Sequence, residues 1–268
     1  MKQRLITAGV ALPLLLLIII KGSYLFFTAF IALASFIGLM EYCRMTLPER
    51  RVAGIFIPLA GSSLPFLFFT RSAASTTLVI AALFLLISVY LLFTLNDIKK
   101  AASEAALLFF GVIYIPYLLG YLVLLRNHPL GFKWILLIMF IVMSGDSAAY
   151  FVGCRFGKRK LYPAVSPNKS VEGSLGGLAG SLLGTMIARF LFFEELTLVD
   201  AIIAPLLIGT ISQIGDLFES MIKRSCEVKD SGTIFPGHGG VMDRLDSIIF
   251  AAPVTYYYAI YVAGSFSG

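Results

Sequence analysis

Three carboxylates and a group of cations bracket one stretch of this chain. Between Ser220 and Asp246 lie four of the 21 Lys and Arg residues, four acids and one of the two histidines, in sequence that is otherwise oily. Asp243 and Asp246 stand three apart at the start of an apolar run, so both can face one point near a helix N-terminus. Acids there are favoured by the helix dipole alone. Together with Asp216, just upstream, they make an oxygen-rich set that suits Mg²⁺, a cation that keeps waters and substrate phosphate oxygens in its shell. Two such ions could clamp the attacking and leaving oxygens of a displacement at phosphorus.

The segment between these acids can hold the phosphates. Lys223, Arg224 and Lys229 are cationic donors. The Pro236-Gly-His-Gly-Gly240 turn is poor in side chains, so its N–H groups can come close to an anion. His238 in such a turn is more often a hydrogen-bonding group than an acid or base. Ser212, Asp216, Ser220 and Lys223 follow i, i+4, i+8, i+11 and line one helical face. A buried polar network joining helices explains that stripe as readily as a site does.

A second group lies earlier in the chain. Asp146 sits in Ser144-Gly-Asp-Ser-Ala-Ala-Tyr150. Ser166-Pro-Asn-Lys-Ser-Val-Glu-Gly173 places Lys169, Ser170 and Glu172 at the head of another apolar run. It lacks the glycine spacing of a Walker loop. The cations Arg155, Lys158, Arg159 and Lys160 fit interaction with anionic headgroups.

These residues must be carried by membrane helices. With 59% hydrophobic and 13% charged residues, the chain is too apolar to cover a water-facing surface. Its net charge of +6 therefore does not point to nucleic acid. The three cysteines show neither metal spacing nor a pairing pattern. Apolar stretches near 5–20, 24–42, 52–70, 76–95, 105–125, 134–152, 174–193, 200–222 and 247–265 are each long enough to span, at about 20 residues per crossing. The first resembles a signal peptide, but no small-residue cleavage site follows and a second run starts at once, so an uncleaved span is expected.

Nine spans predict an all-α polytopic membrane protein, read as one domain over 1–268, with plain spans in 1–133 and the motif-bearing ones in 134–268. The count puts 16 Lys and Arg on the side of the N-terminus and five on the other. That asymmetry places the N-terminus and the motif loops in the cytoplasm and the C-terminus outside, in a plasma-type inner membrane. Asp146 and Asp216 then lie at matching depths, about 10 Å below the cytoplasmic ends of their helices. A carboxylate so placed costs about 3 kcal/mol unless water, a cation or a partner meets it. Gly176, Gly180 and Gly184 form a close-packing face, within the subunit or in a homodimer.

The ordered set Ser220, Lys223-Arg224, Lys229-Asp230, Gly232, Pro236-Gly-His238-Gly-Gly240 and Asp243-Arg244-Leu-Asp246 resembles the signature of phosphatidate cytidylyltransferases (CDP-diacylglycerol synthases). So does the block from Asp146 through Tyr150, Gly153 and Gly157-Lys158 to Lys169-Ser170 and Glu172-Gly173. The resemblance covers about the last half of the chain. It implies transfer of the cytidylyl group of CTP to phosphatidic acid, with Mg²⁺, at the membrane surface. It implies Asp216, Asp243 and Asp246 around the metal, with Asp146 a further candidate, and Lys223 and Arg224 at the reacting phosphates. Lys169, Ser170, Glu172, Ser220, Lys229, Asp230, His238, Gly239, Gly240 and Arg244 would contact substrate. Two other readings fit parts of the pattern. A CTP-dependent polyprenol or phytol kinase would need a base to activate its alcohol, and an ion-coupled transporter would need a polar track to the far side.

Overall fold

A computed structural model describes residues 2–70, 73–234 and 239–263. Helix stands at each of the nine apolar stretches. Among the described residues, seven segments are long and apolar enough to cross a bilayer: Tyr24–Thr46, Ala53–Thr70, Ala74–Thr94, Ile98–Arg126, Gly131–Phe156, Val171–Leu191 and Asp200–Ser225. Large apolar side chains such as Leu78, Leu85, Leu92 and Phe93 are exposed, as expected where lipid is the solvent. The chain is an all-α integral membrane protein. It divides into two compact units, residues 1–124 with 230–244, and residues 125–229 with 245–268.

In the first unit, α1 (Lys2–Lys21) and α2 (Tyr24–Thr46) form the tight hairpin expected of Lys21-Gly-Ser23. Ser23 caps α2 by accepting from the Phe26 N–H at 3.2 Å. The single span expected at 52–70 is broken into α3 (Ala53–Gly61) and α4 (Leu64–Thr70). Pro65 has no N–H to continue the ladder, and the Ser62 and Ser63 hydroxyls donate to the carbonyls of Leu59 and Ala60 instead. After α5 (Ala73–Thr94), the next span runs through α6 (Ala101–Val112), a π-turn at Ile113–Tyr117 and α7 (Leu118–Arg126). Pro116 lies in that π-turn, which absorbs its missing donor. Arg50 ties the α2–α3 turn down, with Nε on Glu104 at 2.8 Å and Nη1 on the Thr94 carbonyl at 2.6 Å.

The second unit is built on α8 (Gly131–Phe156), α9 (Val171–Leu191) and α10 (Asp200–Ser225), with the later part of α11 (Met242–Tyr261). Helices α8 and α9 pack along a glycine seam. A Cβ at Gly176 would lie 2.6 Å from Val152, and one at Gly180 would lie 2.6 Å from the Ser144 carbonyl oxygen. The glycine face is therefore used within the chain. The 153–173 segment, read from sequence as a loop, holds a small antiparallel hairpin of β1 (Lys160–Tyr162) and β2 (Ser166–Ser170). Helices α8 and α10 extend three to four residues beyond the expected span ends. Asp146 and Asp216 still match in depth, now about 14–15 Å from the helix ends.

Candidate active site

The second unit holds Asp146, Asp216 and Asp246 with Lys169 and Lys223. Asp216, half-buried on α10, forms an ion pair between Oδ2 and Lys169 Nζ, and its Oδ1 accepts from Ser220 Oγ at 3.5 Å. Asp246, on the first turns of α11, lies within electrostatic reach of Asp216, Asp146 and Lys223. Its Oδ1 accepts from the Ser247 N–H at 2.6 Å. Asp146 is exposed on α8. Lys223 is buried, and its ammonium lies 2.5 Å from Oε2 of Glu219, a fully buried acid one helical turn earlier. Glu219, not among the expected site residues, carries the ordinary sequence signal for such a pair in its i, i+4 spacing to Lys223. The polar face of α10 is thus a charged network, with Asp216 and Lys223 pointing at other chemical groups rather than at lipid.

The hairpin delivers Lys169 to that network. Ser170 caps α9 through Gly173 N at 3.1 Å. The Glu172 carboxylate accepts from the N–H groups of Lys158 at 3.0 Å and Arg159 at 3.1 Å. The Val171 N–H donates to the Arg159 carbonyl at 2.8 Å. Ser170 and Glu172, expected at substrate, hold backbone here. Lys169 is the member of that trio that reaches an acid. Arg224 also braces backbone, donating to the carbonyls of Val165 at 3.4 Å and Val228 at 3.1 Å. Lys229 is exposed beyond α10.

The first unit organises the glycine turn. Asp243 Oδ2 accepts from Ser231 N at 2.8 Å, Ser231 Oγ at 2.9 Å and Gly240 N at 2.8 Å. Gly239 has φ +80°, a left-handed conformation that glycine adopts without strain. A carboxylate absent from the sequence reading joins this group: Glu41 of α2, buried, accepts from Val241 N, Met242 N and Ser231 Oγ. The signal was present, since it is an acid in an apolar span. Asp230 and Arg244 are exposed. Pro236, Gly237 and His238 lie outside the described residues.

The donor set fits a hard divalent cation in its chemistry: carboxylate oxygens from different helices, with charge exceeding what Lys169 and Lys223 neutralise. Among the described residues, no three His, Cys, Asp or Glu side chains converge on one point as they stand. Such an arrangement of acids and lysines can gather phosphate oxygens and neutralise charge developing on them.

The cytidylyltransferase family model matches residues 2–262. The chain is similar to the phosphatidate cytidylyltransferase of Bacillus subtilis (strain 168), at 34% identity over 96% of this chain and 97% of that protein. It is 35% identical to the enzyme of that name from Synechocystis sp. (strain ATCC 27184 / PCC 6803 / Kazusa), covering 96% of both. The corresponding Pseudomonas aeruginosa enzyme is also 35% identical, over 95% of both.

Proposed function

This chain belongs to the cytidylyltransferase family, and from that premise we propose that Asp146, Asp216 and Asp246 with Lys169 and Lys223 form its catalytic centre. The reaction makes CDP-diacylglycerol. A phosphate oxygen of phosphatidic acid attacks the α-phosphorus of CTP, the bond to the β-phosphate bridging oxygen breaks, and pyrophosphate leaves. The attacking oxygen is already anionic, so no strong base is required. Catalysis is then mainly positioning and charge neutralisation.

The observation that carries this reading is the ion pair that brings Lys169 of the hairpin onto Asp216 of α10, with Asp146, Asp246 and Lys223 in electrostatic reach of the same group. Asp146, Asp216 and Asp246 would hold Mg²⁺, as a pair of ions, which when bound supplies Lewis-acid neutralisation of phosphate charge. Asp243, one turn before Asp246 on α11, orders the Gly239-Gly240 turn through Oδ2 and is a further ligand candidate. Lys169 and Lys223 neutralise phosphates as nucleotide arrives, with Arg224, Lys229 and Arg244 as further cationic candidates for it. Ser220 orients Asp216. The Gly239-Gly240 turn, with Asp230 and His238 in the same segment, shapes the nucleotide site. Ser170 and Glu172 serve substrate indirectly: Ser170, at the end of β2, caps α9, and Glu172 holds the backbone leading into β1, the partner of the strand that carries Lys169.

The same reading places nine spans in one plasma-membrane domain, with the N-terminus and the catalytic centre at the cytoplasm, where CTP is found, and the C-terminus outside. The 16-to-5 division of Lys and Arg supports it.

The test is direct. Purified protein given phosphatidic acid, Mg²⁺ and CTP labelled at the α-phosphate should yield labelled CDP-diacylglycerol. Label that enters lipid only from the γ-phosphate would mark a kinase instead. Asp216→Asn and Asp246→Asn should each lower kcat by about 10²–10³-fold, the range for removing a charge-stabilising group, with thermal unfolding unchanged. Full activity in both variants refutes the assignment.

A further inference from the structure

We propose that Glu41 is a positioning residue for the nucleotide turn: from α2 it fixes the Gly239-Gly240 turn and the first residues of α11. The proposal rests on the reading above that this turn belongs to the catalytic centre.

Glu41 is 3% exposed, and its polar contacts are unusually complete for an acid in an apolar helix. Oε1 accepts from Val241 N at 3.0 Å, and Oε2 from Met242 N at 2.9 Å and Ser231 Oγ at 3.2 Å. Val241 and Met242 stand at the head of α11, where N–H groups have no partner within the helix. That work normally falls to a neighbouring Ser, Thr, Asp or Asn. Here it falls to a side chain 200 residues away in sequence.

The Ser231 hydroxyl faces Glu41 and Asp243 at once, so the two carboxylates share one small cluster of donors. Space confirms how closely the segment closes on Glu41. A Cβ at Gly232 would lie 2.5 Å from Oε1, and one at Gly240 would strike Oε2. Asp243 grips the turn from within its own segment. Glu41 grips it from a separate helix, and so sets where the turn stands relative to α2. Displacement of a reacting group by about 1 Å can cost 10²-fold in rate, even when the change is remote from the chemistry.

The experiment compares Glu41→Ala, Glu41→Gln, Gly232→Ala and Asp243→Asn with the parent protein in detergent. It measures hydrogen exchange over 239–244, thermal unfolding, and kcat and KM for CTP. Glu41→Ala should speed exchange in that segment and lower kcat about 10²-fold. Glu41→Gln, which keeps one acceptor oxygen, should fall between. Gly232→Ala leaves the carboxylate but crowds it, and should move both readouts the same way. If Glu41→Ala does not fold, Glu41→Gln and Gly232→Ala decide. Parent-like exchange, or faster exchange with parent-like kcat, overturns the proposal. Where Asp243→Asn is inactive but the Glu41 variants are not, the fault lies with Glu41. Where Asp243→Asn is also fully active, it lies with placing the turn in the catalytic centre.

Discussion

At the scale of single residues, the lysines of the second unit have two tasks. Lys223 was legible as a cation on the polar stripe of α10, and phosphate neutralisation was its expected role. Its ammonium also lies against Glu219, which is fully buried. Removing one partner of a buried pair leaves a charge that has lost its compensation, at a cost of about 3–5 kcal/mol. Lys223→Met should therefore lower the thermal unfolding temperature markedly as well as abolish CDP-diacylglycerol synthesis. Adding Glu219→Gln should restore most of the stability and none of the activity. Recovery of both would mean that Lys223 serves the fold alone. Asp216 and Lys223 could be read from spacing because their helix repeats every 3.6 residues. Glu41 could be noticed as an acid among apolar residues, but its partners are 200 positions away, and periodicity carries no information at that range.

At the scale of elements, helix positions were legible because a bilayer demands long apolar runs. Interruptions within them were less so. Pro65 and Pro116 were visible, but prolines are common in membrane helices, and only packing decides whether one kinks, breaks or is absorbed by a π-turn. The β1–β2 hairpin was missed because Ser166-Pro-Asn-Lys-Ser170 has no apolar alternation to mark a strand; Glu172 of α9 holds the backbone that leads into it, through the Lys158 and Arg159 N–H groups. The glycine seam was legible and has a measurable consequence. Gly180 meets the Ser144 carbonyl, two residues before Asp146. Gly180→Val should separate α8 from α9, costing about 1–3 kcal/mol by overpacking, and should lower activity by moving Asp146. Leu183→Val, on the same helix at a position 66% exposed, should change neither. Equal thermal shifts for the two would show that the seam is not tight.

At the scale of the whole molecule, orientation decides whether the chemistry is feasible, since CTP is a charged cytoplasmic solute. Helix α10 has 26 residues, about 39 Å at 1.5 Å per residue, enough to exceed a hydrocarbon core of about 30 Å. Glu194 precedes it and Cys226 follows it, so a crossing helix must put them on opposite sides. Lys223, Arg224 and Lys229 cluster at the Cys226 end, and excess Lys and Arg favour the cytoplasm. In a Cys154→Ser background, a membrane-impermeant maleimide added to intact cells should label Glu194→Cys and spare Cys226. Inverted vesicles should reverse the pattern. Labelling of both from one side would show that α10 does not cross. A reversed pattern would turn Asp216 and Lys223 away from CTP, leaving the lipid phosphate and the nucleotide on opposite faces of the membrane with no route for the transfer.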